Sequence, residues 1–411
     1  MINKKERIAS QWKIKFLPLY TLSFILLVGM KLASSALLSE NEFEIASEFA
    51  IFPKTIDAAI FFLAILGLSL SPPTKRKWLF ITYIISILIT GLISQFINER
   101  SIAEALFINA KLLGPMTILA AFLLNQKKCQ NIINGIPALL FFISFLIIAG
   151  FFLVEPSFRN GKEWSPAYFS GTHTSAYVAL SSTAIAVMIM KKPWYKSTLT
   201  ILIAFFVYMI AIGWGVRTAT MGLLVSATYL FLVLFQKKYR PTQILGLTAI
   251  FTLILFYLLQ FSSFSEIEKF SSGRTTEWLS RLSTISERPT IELLFGTGLG
   301  SNVTFSSVWW WEEKDSHNDI IRILYEQGLA GLTLVAAMLI YLYLSVTRSH
   351  SWNAIWLYVT VSAVLSNGII SRPTASYVFV LALIVSQQIA LYRKNPIPNI
   401  KQFHLTNSRA P

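Results

Sequence analysis

The feature that most constrains this chain is the recurrence of apolar runs about 20 residues long, the length of helix that crosses a hydrocarbon core. They lie near 16–38, 49–70, 78–97, 103–124, 132–154, 172–190, 195–214, 218–235, 243–260, 326–346, 353–369 and 374–392. The pattern predicts an all-α polytopic membrane protein with about twelve transmembrane helices. A hydrophobic content of 54% and a mean hydropathy of +0.59 exclude a soluble domain. One long polar segment, 261–323, interrupts the runs. The expected organisation is helices 1–9 over 1–260, a polar loop with short amphipathic helices over 261–325, and helices 10–12 with a tail over 326–411.

A net charge of +15 over 411 residues would suit a nucleic-acid partner. The basic residues are instead scattered between the apolar runs, so no nucleic acid is expected. Lys4, Lys5, Arg7, Lys13 and Lys15 precede the first run, which is long, lacks a small-residue cleavage site and is followed by more spans. It reads as a first span, not a signal peptide. With the N-terminus inside, the inside connections carry Lys75, Arg76, Lys77, Lys127, Lys128, Lys191, Lys192, Lys196, Lys237, Lys238, Arg240 and Arg348. The short outside turns carry few, and the first is acidic, with Glu40, Glu42, Glu44 and Glu48. This is the asymmetry of the positive-inside rule. It places both termini in the cytoplasm and 261–323 outside. A single cysteine, Cys129, excludes an intrachain disulfide and a multi-cysteine metal site.

Polar groups at the ends of spans are costly and therefore informative. Arg217 stands in Gly213-Trp-Gly-Val-Arg-Thr-Ala-Thr-Met-Gly222, a short outside turn whose small residues let a ligand approach the backbone. Within the loop, Ser272-Gly-Arg274-Thr-Thr-Glu-Trp278 leads into apolar positions at helical spacing (Trp278, Leu279, Leu282, Ile285). These predict an amphipathic helix lying on the membrane. Arg274 falls at its first turn, where backbone N–H groups favour anions. Arg217 and Arg274 together suit a diphosphate, because guanidinium groups bind phosphate oxygens bidentately. Arg281 and Arg288 are weaker candidates. Leu294-Phe-Gly-Thr-Gly-Leu-Gly300 lacks the Lys-Ser/Thr of a nucleotide loop and reads as a tight turn bringing backbone close to a partner. Trp309-Trp310-Trp311 reads as an interfacial anchor, or a platform for sugar rings.

His317 lies between Asp315 and Asn318 where the loop re-enters the membrane. A carboxylate neighbour can poise a histidine to take a proton from a hydroxyl near neutral pH; a helix cap or a simple polar contact is the blander alternative. His173, in Ser170-Gly-Thr-His-Thr-Ser175, is a further contributor on the same face. No second His or Cys stands at ligand spacing, so no metal is expected.

These pieces in this order resemble the O-antigen ligase and O-antigen polymerase superfamily of bacterial surface polysaccharide assembly. The most specific element is His317-Asn318, nine residues, then Gly328-x-x-Gly331. Arg217-Thr-Ala-Thr, the 272–278 segment and Leu294–Gly300 support it. The resemblance implies a metal-independent membrane glycosyltransferase of the bacterial inner membrane, without cofactor, whose catalytic loop is periplasmic. Its donor would be an undecaprenyl-diphosphate-linked glycan. Its acceptor would be lipid A-core in a ligase, or a second carrier-linked glycan in a polymerase; related members glycosylate proteins. By the resemblance, Arg217 and Arg274 grip the diphosphate and His317 activates the acceptor hydroxyl. The alternative from a different class is a lipid-linked oligosaccharide flippase, for which Lys31 and Lys111 inside spans are the relevant charges.

Overall fold

The computed structural model of the protein describes residues 4–37, 51–126, 132–153, 157–159, 162–164, 169, 171–190, 196–235, 273–305, 313–346, 349–366, 368–369 and 372–394. In chain order the helices are α1 (Lys4–Leu37), α2 (Ile51–Ser69), α3 (Lys75–Ile97), α4 (Ile102–Leu124) and α5 (Ile132–Leu153). A two-stranded hairpin follows, β1 (Ser157–Arg159) paired antiparallel with β2 (Lys162–Trp164). Then come α6 (Thr172–Ile189), α7 (Lys196–Tyr208) continued by a π turn over Met209–Gly213, and α8 (Arg217–Phe235). The polar arm holds α9 (Arg274–Ser286) and the short α10 (Thr290–Phe295); α11 (Asp319–Leu344), α12 (His350–Leu365) and α13 (Pro373–Lys394) complete the chain.

Eight helices among the described residues are long and apolar enough to cross a membrane: α1 to α5, α7 with its π turn, α11 and α13. The chain is an all-α polytopic membrane protein. Three further helices, α6, α8 and α12, stand where spans were expected but are shorter or more polar. For α6 the cause is its position. Ser175, Ser181, Ser182 and Thr183 are all buried on it, so it faces other helices instead of lipid. Small polar residues let helices approach closely in a bilayer. The expected span at 243–260 lies outside the described residues.

α13 runs opposite to α1 and in the same direction as α4. Ser35 near the end of α1 meets Thr374 at the start of α13 at 3.2 Å, and the far half of α13 reaches Gln126 beyond α4 through Gln388. α13 is the most enclosed of the candidate spans among the described residues. It packs against α6 and α4 to form the centre. Caps set the starts of several helices: Thr74 accepts from Lys77 N–H, Ser349 from Trp352 N–H, and Asn318 from both Ile320 and Ile321 N–H. These side chains satisfy donors that a helix leaves open.

α11 starts at Asp319, several residues before the expected span, and is broken at Gly328 (φ 64°, ψ −167°). The break explains both glycine patterns. The carbonyl of Tyr325 accepts from Thr297 N–H, and that of Glu326 accepts from Gly298 N–H and Ser94 Oγ. Any Cβ on Gly296 would strike the backbone at Glu326, and any Cβ on Gly328 would strike the backbone at Leu294. The partner of the 294–300 turn is therefore the interrupted helix itself. On the far side of the break, Gly331 makes room for the Gln327 side chain.

Candidate active site

Five helices begin at one end of the bundle, and each brings a basic or imidazole side chain to its first turn or just before it. His173 is the second residue of α6, Arg217 the first of α8, and Arg274 the first of α9. Arg372 immediately precedes α13, and His317 lies two residues before α11. Helix N-termini carry open N–H groups and the positive end of the helix dipole. Converging N-termini with guanidinium groups form a strong anion site.

Contacts show that these residues share one site. Arg274 donates to Ser366 Oγ at 3.4 Å, and its other amino group lies 3.4 Å from His173 Nε2. Arg372 donates to Thr174 Oγ1 at 2.9 Å. Tyr177 Oη and Thr218 Oγ1, 2.9 Å apart, tie the turn bearing Arg217 to α6. Burial lowers the Arg274 pKa; Tyr177 and Asp315 raise it, while Arg372 and Arg217 lower it further. The three arginines therefore lie close enough to feel one another. Guanidinium groups stay protonated throughout the physiological range, so the site holds concentrated positive charge.

His317 is fixed from both sides. Ser316, fully buried, accepts Trp278 Nε1–H at its carbonyl (2.7 Å) and Asn302 Nδ2–H at its hydroxyl (3.1 Å). Asn318 caps α11 while its own amide donates to Val364 O at 2.8 Å. The Thr304–Lys314 bridge holds the approach to this segment. Between these anchors His317 takes φ +48° and keeps 27% of its side chain exposed. Its Nδ1 stands 3.1 Å from Asp315 Oδ1, which also accepts the His317 backbone N–H. Burial brings the His317 pKa down to about 4; Asp315 raises it, and Arg274, Arg372 and Lys314 lower it. At neutral pH the ring is uncharged. With Nδ1–H turned to Asp315, Nε2 carries the lone pair and can accept a proton.

The structure thus brings together His317, Asp315, Arg217, Arg274 and His173, with Asn318 as the cap beneath. It adds Arg372, Thr174 and Ser366, which stand in no recognisable motif. The convergence of helix starts marks Arg372 and Thr174, while Ser366 caps the C-terminal end of α12. Arg281 takes another role. It is buried, pairs with Glu277 at 2.6 Å, and reaches Lys314 O at 3.4 Å, bracing the segment that leads to His317. Arg288 stacks on the Tyr325 ring at 3.8 Å and donates to Tyr325 O. α9 forms where helical spacing predicts it, but its buried stripe is Glu277, Arg281 and Ile285. Trp278 binds Ser316, and only Leu279 and Leu282 of the apolar positions are exposed. Trp309, Trp310 and Trp311 lie outside the described residues, as do Cys129 and His404.

No protein-family model matches the chain, and no curated protein is similar enough to count as a relative.

Proposed function

We propose that this protein is an O-antigen ligase-like glycosyltransferase. It would transfer a glycan from undecaprenyl diphosphate to a lipid A-core acceptor at the periplasmic face of the bacterial inner membrane, with both termini cytoplasmic. The observation that carries the proposal is the meeting of an anion site with a neutral, carboxylate-paired histidine. Arg217, Arg274 and Arg372 gather at helix N-termini, and His317, paired through Nδ1 with Asp315, lies close enough for Arg274 and Arg372 to shift its titration. Diphosphate is a leaving group whose charge grows as the bond to sugar C1 breaks, and fixed guanidinium groups stabilise that charge. In the proposed step His317 Nε2 takes the proton of the acceptor hydroxyl, whose oxygen attacks C1. The C1–O bond breaks with its electrons going to undecaprenyl diphosphate, and the configuration at C1 inverts.

The charge balance suggests an order of binding. In the free protein burial, with Arg274 and Arg372 acting in the same direction, brings His317 to about 4, which makes it a weak base. A bound diphosphate neutralises those arginines and raises the histidine toward the pKa range in which general bases work best. Donor binding therefore prepares the base. The decisive experiment expresses His317→Ala and Arg217→Ala variants in a strain lacking the native gene. Loss of ladder-type lipopolysaccharide supports the assignment, and an intact ladder from both variants would sink it. Incubating the purified protein with carrier-linked glycan and, separately, lipid A-core or a second carrier-linked glycan distinguishes the polymerase reading by product mass.

One observation favours a second reading. Within the candidate spans, Lys31 and Asp57 form a buried ion pair at 2.7 Å, and Arg322 lies 3.3 Å from Glu326. A flippase would use such charges along a path. Net translocation of lipid-linked glycan by the purified protein, without product formation, would favour it.

A further inference from the structure

The arginines of this protein are held in two different ways. Arg281 is paired with the Glu277 carboxylate at 2.6 Å, and Arg322 lies 3.3 Å from that of Glu326. Those two guanidinium groups are neutralised where they stand. Arg274 instead donates to two uncharged acceptors, Ser366 Oγ at the end of α12 and His173 Nε2 in the first turn of α6, each at 3.4 Å. Among the described residues no carboxylate pairs with it. A guanidinium can only donate, so Nε2 of His173 carries the lone pair and the ring is uncharged, with its proton on Nδ1. The first turns of α6 hold the neighbouring elements in the same uncharged manner. Thr174 Oγ1 accepts from Arg372 at 2.9 Å, and Tyr177 Oη meets Thr218 Oγ1, beside Arg217, at 2.9 Å.

We propose that His173 is a positioning residue, a neutral acceptor that fixes the Arg274 guanidinium together with Ser366 and leaves its charge uncancelled for an anionic ligand. Three kinds of side chain could stand at this place, and they differ in what they leave to the ligand. A carboxylate would hold the arginine more firmly, because a hydrogen bond between two charged groups is the stronger kind. It would also supply the negative charge that the ligand has to bring. A side chain with no acceptor would spare the charge but leave the guanidinium to be ordered at each binding event, at a cost in side-chain entropy. A neutral imidazole avoids both losses. Of the five N–H donors of a guanidinium, one on each amino group is engaged by Ser366 and His173, and the others remain for an anion. Donors fixed in advance need no reorganisation when charge develops on a leaving group. The inference rests on the transferase reading for the identity of the anion, but anion binding is measurable without turnover.

The test measures equilibrium binding of radiolabelled inorganic pyrophosphate to the full-length protein in nanodiscs, with Arg274→Gln as the background. His173→Gln, whose amide oxygen reaches about as far as Nε2, is expected to keep the wild-type affinity. His173→Phe keeps a ring and removes the acceptor, and its affinity is expected to fall about tenfold. His173→Glu has the reach of Gln but adds a charge beside Arg274, and its affinity is expected to fall about a hundredfold. A ring that served only to fill space would give the opposite order, with Phe tolerated and Gln not, and that order overturns the proposal. So does Gln falling as far as Phe, Glu binding as well as wild type, or a wild type with no affinity above the background. Where the ring position does not tolerate change, Ser366→Ala and Ser366→Asp put the same question to the other acceptor. A loss in both, larger for Asp, supports the proposal; Asp binding like wild type overturns it. Transfer assays on the same samples separate the two claims. The expected order in pyrophosphate binding without transfer keeps the neutral anchor and removes the reaction; transfer by wild type and His173→Glu at equal rates does the reverse.

Discussion

His317 occupies the left-handed region, where histidine is several-fold commoner than most side chains but still rare. The anchors on Ser316 and Asn318 hold it there, and the conformation lets its ring meet Asp315. A proton-accepting role gives a definite pH profile. kcat/KM for the donor reports the free protein, so it is expected to be flat at neutral pH and to fall as pH drops through about 4. The acidic fall of kcat reports the loaded protein and is expected at higher pH, because bound diphosphate offsets the two arginines. Coincident falls in a pH–rate series would refute that coupling. Removing positive charge acts in the same direction: Arg372→Gln raises the His317 pKa, whereas Asp315→Asn lowers it. His317→Ala is expected to lose about 10²–10⁴-fold in kcat, and Arg274→Ala about 10²–10³-fold, measured by product mass. The pairing of His317 with Asp315 was legible because the two residues are neighbours in sequence. Arg372 was not, because nothing local distinguishes it. It reaches the site only because α13 begins beside α6.

At the scale of elements, the glycines are the parts whose spacing was legible and whose purpose was not. Gly296 and Gly328 touch each other's segments backbone to backbone, and both have positive φ, at 79° and 64°. A side chain at Gly328 would meet main-chain atoms that cannot rotate away, in a conformation that already costs a non-glycine residue about 1–3 kcal/mol. Gly328→Ala is therefore expected to lower the thermal midpoint of the purified protein and to abolish transfer. An Ala variant of Gly29, whose nearest neighbour is at an ordinary contact distance of 3.9 Å, leaves the midpoint within a degree or two of wild type by the same reasoning. Equal midpoints for the two variants would show that the α11 break is not held by this contact. The face of α9 was legible only in part for a related reason. Helical periodicity identifies a stripe, but not whether lipid or protein covers it. The buried Glu277–Arg281 pair, which hydropathy counts as surface, faces the 314–317 segment.

For the whole molecule, apolar run length found the helices well because a bilayer imposes one length on lipid-facing spans. It is a poorer guide to α6 and α12, which are partly sheltered by their neighbours and need less hydrophobicity. The same sheltering allows charge inside the bundle. Lys31 was legible as an intramembrane lysine, but its partner was not, since Asp57 comes from the next helix and meets it only through the α1–α2 packing. Lys31 also donates to the Pro53 carbonyl at 3.0 Å, so the ammonium is well ligated. This arrangement fits a strut joining two helices better than a moving charge, and the two roles differ in a double-variant test. Asp57→Ala leaves a buried ammonium without its carboxylate and is expected to cost about 3–5 kcal/mol. Lys31→Met combined with Asp57→Leu removes both charges while keeping volume, and such replacements are often neutral or stabilising. A strut predicts that the double variant regains stability in thermal unfolding and transfers glycan at close to the wild-type rate. A charge that carries a substrate or proton predicts stable protein with no activity, and that outcome would move the centre of the molecule's function from the arginine site to the interior of the bundle.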